Sequence, residues 1–183
     1  VFEKLDDFHL CKLKYNYRSY QEIVDYASTV YLTLYDKVVD NDISSYITRV
    51  SYSKESSIEC QKGYGGQVAI ITPYEECYVF KNGERAIDNA YRQLRRIMEL
   101  NPMILCRTNK QVKAIQELGF TNVSTIHQAK GLECDNVVVV DTEIDCLEDL
   151  NVAYVALTRA KDSMLVINFV QFENYLKCQE KTF

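Results

Sequence analysis

The 183-residue sequence has no long apolar run, almost no proline and no excess of positive charge. Without 18 consecutive apolar residues, no transmembrane helix is expected. Only Pro73 and Pro102 occur, so no Pro-rich linker divides the chain, and no internal repeat or low-complexity tract stands out. The first seven residues, Val1 to Asp7, carry acids and no apolar stretch, so no signal peptide is visible. The initiator Met is missing, as in a processed protein or a piece of a longer one. The net charge of −5 argues against a surface devoted wholly to nucleic acid. It leaves room for a local basic track. From Arg107 to Lys130, four cations (Arg107, Lys110, Lys113 and Lys130) face Glu117 alone, a local +3. Seven cysteines are scattered without a C-x-x-C, and His9 and His127 are the sole histidines. A zinc site or disulfide framework is therefore not expected, and reduced thiols in a cytoplasmic protein are.

What is present is an alternation of apolar segments. Hydrophobic residues make up 47% of the chain and charged residues 26%, enough for one domain with a sizeable core. Ser19-x-x-Glu22 reads as a capping box opening a helix over about 20–37, with Ile23, Val24, Ala27, Val30, Tyr31 and Leu34 as its apolar stripe. Strands are expected at 67–72, 103–106, 123–125, 136–141 and 164–168. Helices are expected at 85–100, after Asn109 as cap through Leu118 with Gly119 as the stop, at 147–160, and from about 171. The stretch at about 40–66 reads as a loose excursion with weak strand character near 46–52. The strands are continuously apolar and alternate with helices. That predicts an α/β domain with a mostly parallel sheet covered on both faces. On such sheets ligands sit at the carboxyl ends of the strands, so functional residues are expected just after them.

Four polar blocks stand out at the strand and helix junctions. In Asn16-Tyr17-Arg18-Ser19, a guanidinium beside a helix start could clamp a phosphate or lie on the surface as an ordinary cation. Leu105-Cys106-Arg107-Thr108-Asn109 brings polar groups to a strand end. The block from Ser124 to Glu133 gathers Thr125, His127, Lys130, Gly131 and Glu133 between two apolar strands. There Gly131 permits close backbone approach and Glu133 can accept from a ribose hydroxyl. The fourth block, Ala153 to Lys161, ends an apolar helix in Thr158-Arg159-Ala160-Lys161. Arg159 there could complement the helix dipole or act as an arginine finger.

Together these blocks resemble motifs IV, IVa, V and VI of the second RecA-like domain of superfamily 1 helicases of the UvrD/Rep type, over about residues 10–170. The resemblance implies a P-loop NTPase-type α/β fold and ATP with Mg²⁺ as cofactors. It also implies single-stranded DNA and an N-terminal RecA-like domain as partners, and no membrane. Carried over by position, Arg18 and Arg159 would contact the ATP γ-phosphate, while Gly131 and Glu133 would make the motif V nucleotide contact, Glu133 on the ribose. Thr125 and His127 would face single-stranded DNA, with Arg107 a DNA-side or structural residue and Tyr154 a support residue. No G-x-x-x-x-G-K-[ST] occurs, so the domain has no Walker A of its own, and the Walker B acid is absent with it. The 183 residues are thus expected to form one C-terminal domain of a longer chain, inactive as an ATPase by itself. Only about 15 residues separate Asn109 from motif V, where relatives carry a large accessory domain. Cys134 stands where the family has an aromatic residue, a packing change only. Two other readings stay open: a RecA-like binding module without catalysis, and an unrelated α/β enzyme pairing His127 with Cys106 or Cys134.

Overall fold

The computed structural model describes residues 15–40, 45–46, 58–71, 86–140 and 143–180. His9, Cys11, Thr72, Pro73, Cys77, Arg85 and Asp141, and most of the stretch at 46–52, lie outside them.

In chain order the elements are β1 (Tyr15–Asn16), α1 (Gln21–Val39), β2 (Ser45–Tyr46), β3 (Glu59–Cys60), β4 (Gln67–Ile70), α2 (Ala86–Met98) and β5 (Met103–Cys106). They continue with α3 (Asn109–Glu117), β6 (Val123–Thr125), β7 (Cys134–Val140), β8 (Glu143–Ile144), α4 (Leu147–Leu157), β9 (Ala160–Ile167) and α5 (Phe169–Glu180). Five strands form one sheet in the order β4-β9-β7-β5-β6, every pair parallel. This α/β arrangement of a parallel sheet flanked by helices is consistent with a RecA-like fold. Two short pairs lie outside it, β1 with β3 in parallel and β2 with β8 antiparallel.

Strand pleating explains the continuous apolar runs. Successive side chains point to opposite faces, so a strand covered on both sides must be apolar at every position. Val137 and Val139 join Leu105, Met164 and Val166 in the core under α1 and α4. Val138 and Val140 join Ile104, Leu165 and Ile167 in the core under α2, α3 and α5. Of the expected stripe of α1, Ile23, Ala27, Val30 and Leu34 are buried in the first of these cores, Val24 is buried beside them in sequence, and Tyr31 is only partly covered.

β7 starts at Cys134, β9 at Ala160 and α5 at Phe169, each two to four residues earlier than expected, and three further differences have a local reason. Ser19 does not cap α1. Its hydroxyl donates to Ala160 O at 2.7 Å, and the N-cap is Tyr20 with no side-chain bond. The Glu22 carboxylate instead accepts from Gly65 N at 3.0 Å and Gly66 N at 3.1 Å. Helix α3 is capped by Thr108 rather than Asn109, in a reciprocal capping box with Gln111. Gly119 follows its C-cap at φ +92°. Helix α4 stops at Leu157, short of 160, because Ala160 already pairs with Cys134 as the start of β9. The Thr158 hydroxyl donates to the last-turn carbonyls of Tyr154 and Val155 at 2.9 and 3.1 Å.

Candidate functional site

Arg159 lies between the end of α4 and the start of β9. Its backbone and its two neighbours gather the other motifs. The Arg159 carbonyl accepts from Cys134 N at 3.2 Å, Ala160 O accepts from the Ser19 hydroxyl, and Lys161 O accepts from Tyr20 N at 3.0 Å. Three consecutive carbonyls thus fasten the segments carrying Glu133 and Arg18 to the one carrying Arg159.

The side chains meet on this base. Arg18 Nη1 donates to Glu133 Oε1 at 2.8 Å, an exposed ion pair. Arg18 Nε is buried without a hydrogen-bond partner among the described residues. Arg159 Nε donates to Val155 O at 3.0 Å, and its Nη1 to Leu132 O at 3.2 Å. The Arg159 guanidinium therefore satisfies the last turn of α4, as the helix-dipole reading anticipates, while standing close to Arg18 and Glu133. Burial, and then the neighbouring Arg18 charge, lower its pKa from the ordinary guanidinium value, with Glu133 opposing. The Arg18 hydrogen bond holds the Glu133 carboxyl below its usual range, with Lys161 and Arg159 adding to the effect. A cleft opens in front, lined by Tyr15, Tyr17, Arg18, Lys62, Glu133 and Lys161 among others.

This trio does not sit where the sheet rule predicts. Glu133 precedes β7 and Arg159 precedes β9, so the site lies at the amino ends of those strands. The three remaining polar groups do lie at carboxyl ends. Arg107 follows β5, and Thr125 ends β6 with His127 just beyond. The registers Cys106↔Thr125 and Cys106↔Val140 place Thr125 level with the end of β7. Residues 126–133 therefore run back along the sheet from one end to the other. Seven residues of β7 separate the two ends, about 20 Å at roughly 3.3 Å per residue.

Local bonding fixes the far end. Thr125 is buried, and its hydroxyl and Gln128 bond reciprocally, at 3.1 Å to Gln128 Oε1 and 3.3 Å from Gln128 N. That turn leaves His127 and Lys130 exposed. Gly131 adopts φ +90° with open space where a Cβ would stand. Its backbone conformation, rather than crowding, calls for glycine. Arg107 Nη2 is paired with Asp149 Oδ1 in the first turn of α4, and its Nη1 is buried without a partner among the described residues.

Asn16 escaped the sequence reading as a site residue. Its Oδ1 accepts from Arg18 N at 2.8 Å and Ser19 N at 2.9 Å, an Asx turn that fixes the backbone presenting Arg18. Its position two residues before an arginine at a helix start was the available signal.

Residues 121–167 match the family model of the UvrD-like helicase C-terminal domain. The match covers 47 of the 183 residues, about a quarter of the chain, and is a likeness to the UvrD-like helicase C-terminal domain over that segment. The matched UvrD-like segment contains motif V, α4, motif VI and β9, while Arg18 and Arg107 precede it. No curated protein matches the chain. No helix among the described residues is long and apolar enough to cross a membrane, and no group of three or more His, Cys, Asp or Glu among them could hold a metal ion.

Proposed function

We propose that this chain is the C-terminal motor domain of an ATP-dependent DNA helicase in the cytoplasm. In this reading it supplies arginine contacts to ATP and part of the grip on single-stranded DNA. The observation that carries the reading is the convergence of Arg18, Glu133 and Arg159 on the carbonyls of residues 159–161. Two guanidiniums and a carboxylate at one edge suit a nucleotide held by a facing domain. Each guanidinium has an interest in an anion. Arg18 Nε has no partner among the described residues, and Arg159 holds only neutral carbonyls and a hydroxyl.

The residues present fit ATP. Arg18 and Arg159 would hold the γ-phosphate, Glu133 the ribose, and the Gly131 backbone would allow close approach. Mg²⁺ and the phosphate loop would come from the N-terminal RecA-like domain of the same parent. Bound there, ATP supplies the phosphoryl-transfer chemistry, and such arginines contribute about 10³–10⁵ in rate in related NTPases. Arg18 reaches a phosphate by giving up Glu133, and Arg159 by giving up Leu132 O.

Thr125, His127 and Arg107 form the single-strand end of this proposal. Their grip is electrostatic and sequence-tolerant, drawn from the local +3. Thr125 acts there by fixing the turn beneath His127, and Arg107 shares its charge with Asp149. The run of residues 126–133 along the sheet gives a physical route between the two ends. Opening and closing of the interdomain cleft would then move the DNA grips relative to each other.

The deciding experiment is single-strand-stimulated ATPase of the intact parent, wild type against Arg159→Ala. The expected result is a loss of about 10³-fold or more with ATP binding retained. Unchanged ATPase would turn the reading to a RecA-like binding module.

A further inference from the structure

Segment 58–66 falls in the stretch that reads from the sequence as loose, yet it is knitted to the start of α1. The Gln21 side chain, nine-tenths buried, makes three of the bonds. Its Oε1 accepts from Cys60 N at 2.9 Å, and its Nε2 donates to Ile58 O at 2.8 Å and to Asp25 Oδ1 at 2.7 Å. Gln21 N donates to Gly63 O at 2.9 Å, and Gly65 N and Gly66 N donate to the Glu22 carboxylate. A Cβ at Gly66 would lie 2.6 Å from Tyr20 Cβ, so only glycine lets the loop close this tightly.

The other edge of the segment holds the turn that presents Arg18. β3 pairs in parallel with β1, matching Cys60 to Asn16, and Gln61 N donates to Asn16 O at 2.8 Å. The Asn16 side chain then caps Arg18 N and Ser19 N. A continuous chain of hydrogen bonds therefore runs from buried Asp25 through Gln21 and β3 to Asn16 and Arg18. Downstream, Ser19 and Tyr20 are fixed independently to β9. The upstream side of the Arg18 turn rests on β3, which Gln21 holds.

We propose that Gln21 is a positioning residue for Arg18, acting through segment 58–66. The inference rests on the ATPase reading above. Gln21 touches neither Arg18 nor the cleft. It fixes β3, and β3 fixes the backbone from which Arg18 reaches. Misplacing a reacting group by about 1 Å can cost about 10²-fold in rate.

The test is a double-mutant cycle on the intact parent with Gln21→Met, Arg18→Ala and the pair, read as kcat and KM for ATP. Gln21→Met keeps side-chain bulk and removes all three side-chain bonds. The expected result is a loss of about 10- to 100-fold in kcat/KM on Gln21→Met alone, and no further loss in the Arg18→Ala background. Cys60 provides a second readout. Its thiol is pushed up to about 11 by burial, with Asp25 and Glu22 adding to it. Released from Gln21, Cys60 is expected to alkylate faster, measured by peptide mass mapping. Equal losses in both backgrounds, no loss, or unchanged Cys60 alkylation each overturn the positioning role. An active Arg18→Ala overturns the ATPase reading and the positioning role with it. An impaired Arg18→Ala beside an unimpaired Gln21→Met overturns the positioning role alone.

If Gln21→Met does not fold, Gln21→Glu serves. Glutamate keeps the acceptor for Cys60 N but regains a donor only when protonated. The titratable groups around it are Asp25 and Glu22 on α1 and Cys60 on β3. Its activity relative to wild type is expected to rise as pH falls, and a pH-independent ratio overturns the proposal.

Discussion

Glu133 shows how little separates an ion pair from a binding group. Arg18 Nη1 lies 2.8 Å from its carboxylate and holds its pKa below the ordinary range. A depressed carboxyl pKa means that the pair is formed at neutral pH and is lost as pH falls through the folded-state value. Side-chain carbon NMR of Glu133 is expected to titrate below the ordinary glutamate value. In Arg18→Ala it is expected to return toward that value, and an unchanged midpoint would mean that the pair does not persist in solution. Cys60 titrates with the opposite sign. Its raised pKa of about 11 leaves its contribution to stability intact at neutral pH. That contribution is lost as pH climbs from about 8.5, where the unfolded thiol ionises, toward the folded value. At Gly131 the positive φ is the constraint, so Gly131→Ala is expected to cost about 1–2 kcal/mol in denaturant unfolding. The residues of the site were legible from the sequence as types in a spacing. Their partners were not. Nothing in Ser19-x-x-Glu22 says that the hydroxyl prefers Ala160 O, or that the carboxylate prefers two glycine N–H groups 43 and 44 positions away.

Elements were legible wherever pattern and length agreed. Helix α2 lies within the expected 85–100, and its Ala90, Leu94 and Ile97, spaced four and three apart, are all buried. Leu94 is fully buried in the core shared with Ile104 and Leu165. Leu94→Ala is expected to destabilise by about 2–5 kcal/mol, measured by urea unfolding. An effect below about 1 kcal/mol would mean that α2 does not pack there. The end of α4 was not legible, because Thr158 to Ala160 read as a continuation of an apolar helix. Pairing of Ala160 with Cys134 wins over helix propensity there, since it satisfies backbone groups on both strands. Segment 58–66 was missed for a related reason. Its glycines carry no periodic signal, and what orders the segment is Gln21 and Glu22 on another element.

At the scale of the whole molecule, the sheet separates the two groups of residues proposed for nucleotide and single-strand contact. Arg18, Glu133 and Arg159 gather at the amino ends of β7 and β9, while Arg107, Thr125 and His127 stand at the carboxyl ends of β5 and β6. The proposed coupling across this length implies that changes in residues 126–133 should uncouple the ends rather than abolish either. Gln128→Ala removes the bond to the Thr125 hydroxyl without touching the arginines. In the parent it is expected to reduce the stimulation of ATPase by single strands, leaving the unstimulated rate within about twofold; a fall in both together would place Gln128 in the nucleotide site. The isolated chain is expected to show negligible Mg-ATP turnover, because no Walker A loop is present.

The sequence by itself determined the fold class, since strands apolar at every position can be satisfied only by a sheet covered on both faces. It also determined which residue types could meet a phosphate, because the motif spacing is written in the chain. Only the tertiary structure decided at which end of the sheet those residues meet. Eight residues, 126–133, carry the chain from the carboxyl end of β6 back to the amino end of β7. Parallel pairing forces that return, and it brings Glu133 to Arg18 across 115 positions of sequence.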